Sequence, residues 1–201
     1  SLDFVLLLGT VLALYGFLDR RRQNYLLIVA SYVFYGFWNW RFLSLVFAAG
    51  LVDYTAGRGI AAAKTPRGRR AWVICSIAFN LGILAYFKYC NFFVDSADAL
   101  LAAAGLPGLG LHLDVVLPVG ISFYTFQELS YTLEVYKGTL KARRDFLDFA
   151  TFVCFFPQLV AGPIERAAHL LPQVERERTF HWPLARDAMF LILWGYFKKL
   201  V

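Results

Sequence analysis

Along most of this chain apolar residues neither alternate with polar ones nor recur on one helical face; they run in blocks. Leu2–Leu18 is one block, Tyr25–Trp38 a second and Phe42–Asp53 a shorter third. The fourth, Ala71–Tyr89, carries Asn80 as its one strongly polar residue before Lys88 and Tyr89 mark an interface. A helix needs about 20 apolar residues to cross hydrocarbon, so these blocks read as membrane spans. The second and third, joined at Asn39–Trp40–Arg41, form a hairpin. Leu117–Tyr136 is a further span, 146–161 a re-entrant element, and another apolar run begins at about 187. The fold class expected is all-α: a polytopic transmembrane helical protein with a re-entrant or broken-helix element, in one membrane unit covering 1–201.

Lysine and arginine set the orientation. They gather at Arg20–Arg22, at Arg58 and Lys64 to Arg70, and at Lys137 to Arg144, so these loops are expected on the cytoplasmic side. Between Lys88 and Lys137 there is no Lys or Arg, while Asp95, Asp98 and Asp114 appear, which puts 91–114 and the N-terminus outside. Within that loop Phe92–Ala104 reads equally as an amphipathic helix lying flat on the membrane or as a solvated linker. Leu2–Leu18 has no basic residue ahead of it and Arg20–Arg22 behind it, the pattern of a retained span.

Composition agrees with lipid as the solvent: 59% hydrophobic, 18% aromatic and 17% charged residues. The net charge of +6 falls in short clusters between apolar blocks and not on a soluble face, which argues against nucleic acid as a partner and for membrane lipids. Cys75, Cys90 and Cys154 have neither disulfide-framework nor zinc spacing and read as buried, inert thiols. Gly57–Arg58–Gly59 reads as a short turn. The phosphate-cradling, zinc-protease and nucleophile-elbow motifs are all missing from the sequence.

Two stretches break the pattern. In LPVGISFYTFQELSYTLEVY (117–136), Tyr124, Gln127, Glu128, Tyr131 and Val135 share one helical face, while Phe123, Phe126, Leu129 and Leu133 fall largely on another. A carboxylate in hydrocarbon costs from about 2.5 to over 10 kcal/mol, so Glu128 needs a partner or a function. It is either an interhelical hydrogen-bonding group or a cavity-lining residue. Pro118 and Gly120 imply a broken or kinked start. In CFFPQLVAGPIER (154–166), Pro157, Gln158, Gly162 and Pro163 interrupt an apolar run flanked on both sides by arginines. That pattern fits an element dipping in from the cytoplasmic side to line a cavity, or a proline-kinked ordinary span.

The strings Leu117–Gly138 and FFPQLVAGPIER (Phe155–Arg166), with SYVFYGFWNWRFL (Ser31–Leu43) and LWGYFKKLV (Leu193–Val201), closely resemble the membrane-bound O-acyltransferase family. The wording is nearest to its bacterial branch of alginate and other polysaccharide O-acetylation proteins; the D-alanyl transfer proteins look similar in architecture. The resemblance implies a multi-pass enzyme of the bacterial cytoplasmic (inner) membrane, its spans wrapped around a funnel. It would pass an acyl group, usually acetyl, from a cytoplasmic donor such as acetyl-CoA toward hydroxyls of an extracytoplasmic polysaccharide. The donor is a substrate, no cofactor is expected, and a partner acyltransferase on the outer side is.

In that picture Tyr124, Gln127 and Glu128 line the interior, and Pro157, Gln158, Gly162 and Pro163 shape the dipping element beside the donor entrance. Arg166 meets either donor phosphates or lipid headgroups. Freed N–H groups near Gly162 are a source of oxyanion stabilisation. The family's catalytic histidine is expected beyond Val201, so the piece alone is expected to be inactive. His112, His169 and His181 read as solvated or structural, and no catalytic residue is nominated. A transporter or channel-like protein, and a scaffold subunit that recruits a separate transferase, are the alternative readings.

Overall fold

The computed structural model describes residues 2–108, 110–111, 115–159, 162 and 165–200, and all of its regular structure is helical. In chain order the helices are α1 (Leu2–Tyr15), α2 (Arg20–Asn39), α3 (Leu43–Ala62), α4 (Pro66–Leu84), α5 (Cys90–Ala103), α6 (Ile121–Lys137), α7 (Phe146–Cys154), α8 (Phe156–Leu159), α9 (Ala167–Glu175) and α10 (Trp182–Leu200). A 3₁₀ turn (Trp40–Phe42) joins α2 to α3, and a π-helical turn (Ala85–Tyr89) joins α4 to α5.

Local chemistry sets the boundaries. Asn39 turns the chain out of α2, its side chain accepting the Arg41 N–H at 3.1 Å. Thr65 caps α4 by accepting from the Gly68 N–H at 3.1 Å, with Pro66 at the first helical position, where its missing N–H costs nothing. Asp145 caps α7 through the Leu147 N–H at 2.9 Å. Gly120 and Gly138 bracket α6 in left-handed conformation, φ 75° and 79°, which only glycine adopts freely.

Helices α3, α4 and α6 pack as one three-helix unit, and α2, α7 and α9 pack beside it. Apolar side chains form the core, but polar ones share it and large apolar ones also face outward. Asn24, Asp53, Ser76, Asn80, Gln127, Glu128 and Thr132 are buried, whereas Phe17, Phe37, Trp40, Leu100 and Phe190 are exposed. Among the described residues one continuous helical rod, Pro66–Ala103, is long and apolar enough to cross a membrane.

Several expectations change. The third block does not end at Asp53: α3 continues to Ala62, straight through Gly57–Arg58–Gly59. These glycines are contact points and not a turn. A Cβ on Gly57 would lie 2.6 Å from the Tyr131 ring, and one on Gly59 would collide with the Trp72 indole. Phe92–Ala104 is not a linker, because α5 continues as helix from α4 through the π turn. The cysteines are not uniformly buried: Cys154 is, Cys90 is intermediate and Cys75 is exposed. Leu129, which its spacing sets largely on another face than the polar stripe of α6, is buried too. The stretch after Pro163 contains a helix of its own, α9.

Candidate functional site

The α6 face marked by the sequence is buried: Tyr124, Glu128 and Tyr131 are 0% exposed and Gln127 is 1% exposed. The residue that organises this interior is one the sequence reading passed over. Asp53, halfway along α3, accepts hydrogen bonds from Ser76 on α4, from the Asn80 amide at 2.6 Å and from Thr132 on α6 at 2.7 Å. Asn80 also donates to the Ser76 carbonyl at 3.1 Å. Three helices are thus tied to one carboxylate whose acceptor sites are filled by neutral donors. The available signal was the i, i+4 spacing of Ser76 and Asn80 in an otherwise apolar block.

Glu128 lies one turn before Thr132 on the same α6 face, within electrostatic reach of Asp53 and Tyr124. Neither of its carboxyl oxygens has a hydrogen-bond partner among the described residues, and the same holds for the Tyr124 hydroxyl and Gln127 Oε1. Gly50 on α3 faces it: a Cβ there would stand 3.6 Å from Glu128 Oε1, an ordinary contact distance. A void of about 10 Å³ lined by Tyr32, Gly50 and Cys154 adjoins this region, the space of about one water.

The break between α7 and α8 is held by α6 and α2. An unbroken helix would bond the Phe156 N–H to the Phe152 carbonyl. Here the Phe156 N–H goes to the Ser31 hydroxyl of α2 at 3.1 Å, and the Phe152 carbonyl accepts from Gln127 Nε2 at 2.7 Å. Pro157, with no N–H of its own, stops the helix from closing across this point. Gln127 and Ser31 therefore satisfy two of the backbone groups that the break releases, which lowers its cost in a water-poor interior. On α6's approach side, the Tyr35 hydroxyl donates to the Val119 carbonyl at 2.9 Å, fixing the segment before Gly120.

The structure divides the sequence candidates into two groups. Tyr124, Gln127 and Glu128 sit in the closed interior. Pro157, Gln158 and Gly162 line an open groove of about 320 Å³, shared with Phe155, Glu165 and His169. Gln158 is 6% exposed and Pro157 is exposed. The Gly162 N–H already donates to the Gln158 carbonyl at 3.0 Å, so that amide is not a free oxyanion donor. Arg166 is exposed at the start of α9 and is not among the groove's lining residues. Pro163 and His112 lie outside the described residues. His169 contacts Glu165 at 2.8 Å and His181 contacts Thr179 at 2.7 Å, both at the surface. Among the described residues no group of three His, Cys, Asp or Glu side chains is placed to hold a metal ion.

A second polar cluster, also unread in the sequence, fastens the later part of the chain to α2. Asp148 on α7 accepts from Arg20 at 2.9 Å and from Asn24 at 2.7 Å. Arg178 donates to Asn24 Oδ1 at 2.7 Å and to the Val174 carbonyl at 2.8 Å, and its guanidinium stacks over Tyr15. Nearby, Arg143 pairs with Glu175 at 2.6 Å. Partial burial raises the Glu175 carboxyl above the usual range and outweighs the opposing pull of Arg143.

Comparison with known proteins gives relatives over nearly the whole chain. A Pseudomonas putida protein named "Probable alginate O-acetylase AlgI" is 40% identical across 97% of this chain and 40% of its own length. A Helicobacter pylori "Peptidoglycan O-acetyltransferase" is 29% identical across 98% of the chain and 44% of its own. A Lacticaseibacillus rhamnosus "Teichoic acid D-alanyltransferase" is 26% identical across 88% and 45%. The chain thus spans about two fifths of the length of the curated relatives it matches. No family model and no solved structure matches it.

Proposed function

We propose that this chain, related over nearly its whole length to enzymes named for alginate and peptidoglycan O-acetylation, is a portion of a membrane-bound O-acyltransferase that moves an acyl group to a surface polymer. The intact protein takes an acetyl or similar group from a cytoplasmic donor, with acetyl-CoA as one candidate. It passes the group toward hydroxyls of an extracytoplasmic polysaccharide, working with an acyltransferase partner on the outer side. The relatives cited above are named as acylating enzymes and none as a carrier, so the transporter alternative has no support from them.

One observation carries the reading: α6, in the first of the strings that bear the family resemblance, bonds the end of α7 at Phe152, three residues ahead of the second string. Gln127 of the first supplies the hydrogen bond that the helix break before Pro157 of the second requires. This supports a shared interior in which α6 presents a polar face to a broken element, with the groove at Pro157, Gln158 and Gly162 on the donor side and Arg166 exposed at the start of α9. The protein is read as multi-pass in the bacterial inner membrane with its N-terminus outside. Support comes from the large apolar side chains exposed on the surface and from the Pro66–Ala103 helix, long and apolar enough to cross a membrane.

The test is transfer itself. Intact protein in proteoliposomes, given labelled acyl donor on the cytoplasmic face, should load or transfer the label, and Gln127→Leu should reduce this at least tenfold without loss of protein. Solute flux with no acyl transfer would overturn the proposal.

A further inference from the structure

At the end of the bundle where α3, α6 and the 138–144 loop converge lies a second groove, of about 490 Å³, whose lining includes Arg69, Gly138, Leu140, Lys141 and Arg144. Among the described residues no aspartate or glutamate lines it. Its cations are held in place by the fold. The Arg69 guanidinium donates to the Tyr136 carbonyl at 2.7 Å and lies over the Tyr136 ring, 5.5 Å from its centre. The loop backbone is pinned from beneath by two tyrosines: the Tyr54 hydroxyl donates to the Arg144 carbonyl at 2.6 Å, and the Tyr131 hydroxyl accepts the Arg143 N–H at 3.0 Å. Between these anchors Arg143 turns to Glu175, while the exposed Lys141 and Arg144 side chains make no hydrogen bond or ion pair among the described residues. Arg58 joins the same array through the Tyr54 hydroxyl, at 3.3 Å.

We infer that this groove binds a phosphate group, carried either by an anionic lipid or by a soluble phosphate ester. A concave site with one oriented guanidinium and two unpaired cations, and no acid to neutralise them, matches the charge and multiple acceptors of a phosphate. Left empty, the unpaired charges repel one another across the groove; a phosphate offsets that repulsion. The inference is independent of acyl transfer, because it uses none of the α6–α7 interior.

The test uses intact protein in nanodiscs. In phosphatidylcholine discs, pyrophosphate binding is followed by calorimetry. In discs containing phosphatidylglycerol, retained lipid is followed by native mass spectrometry. Lys141→Ala with Arg144→Ala should weaken binding of at least one probe tenfold or more, whereas Arg67→Ala with Arg70→Ala, which removes the same formal charge from exposed positions outside the groove, should not. Loss confined to pyrophosphate identifies a soluble ester, and loss confined to phosphatidylglycerol identifies a lipid headgroup. Binding of neither probe, or equal weakening by both double variants, would overturn the inference.

Discussion

Replacing Asp53 by alanine removes the acceptor shared by Ser76, Asn80 and Thr132 and leaves three buried donors behind. A hydrogen bond to a charged group is worth about 1.5–3 kcal/mol, but not all of that is forfeited. The Ser76 and Thr132 hydroxyls can turn to carbonyls of their own helices, and Asn80 keeps its bond to the Ser76 carbonyl. A residual cost of about 1 kcal/mol per donor, plus a small cavity, gives about 3–5 kcal/mol in all. Asp53→Asn retains one acceptor oxygen and should cost about 1–2 kcal/mol. The assay is reversible unfolding of the intact protein in mixed micelles, comparing midpoints and slopes. The bonds are shared, so Thr132→Val should cost about 1 kcal/mol in the native background and little once Asp53 is alanine. An Asp53→Ala variant within about 0.5 kcal/mol of the parent, or a Thr132→Val cost unchanged between backgrounds, would refute the reasoning.

Other perturbations probe neighbouring parts of the same structure. Gly57→Val drives a branched side chain into the Tyr131 ring and should cost more than about 2 kcal/mol in the same unfolding assay, while Gly50→Ala, with its nearest neighbour at 3.6 Å, should be nearly neutral. Arg178→Ala should release the segment after α9 from α2, seen as faster amide exchange at 176–181 with α3–α4–α6 protection unchanged. Burial raises the Glu175 carboxyl in the folded state, so its contribution to stability is present below its unfolded pKa and is lost as pH rises through the folded one. Glu175→Gln should therefore flatten the decline of stability across that window, read from melts at a series of pH values.

The sequence made the α6 face and the α7–α8 break legible because each violates a strong rule. Polar groups in an apolar block must be sheltered, and proline cannot sit mid-helix without a cost. The turn at Asn39–Trp40–Arg41 was legible for a similar local reason, a turn-forming Asn between two apolar blocks. What escaped depends on tertiary partners. Asp53 looked like the end of a block because a carboxylate normally marks an interface; only the donors of α4 and α6 make it tolerable in the middle of α3. Gly57 and Gly59 looked like a turn because glycine signals both flexibility and close approach, and the aromatic rings of Tyr131 and Trp72 decide for approach. The Arg20–Asp148 and Asn24–Arg178 contacts join residues more than a hundred positions apart, beyond the reach of any local pattern.

The central claim is that the broken α7–α8 element is sheltered within a membrane bundle and turns back to the side it came from. Single cysteines placed at Arg144 and at Arg176 of the intact protein, in a background with Cys75, Cys90 and Cys154 replaced, can be tested in sealed spheroplasts with a membrane-impermeant maleimide. The account predicts that neither position labels until the cells are opened, and that both then label. One position labelling from outside and the other only from inside would contradict it.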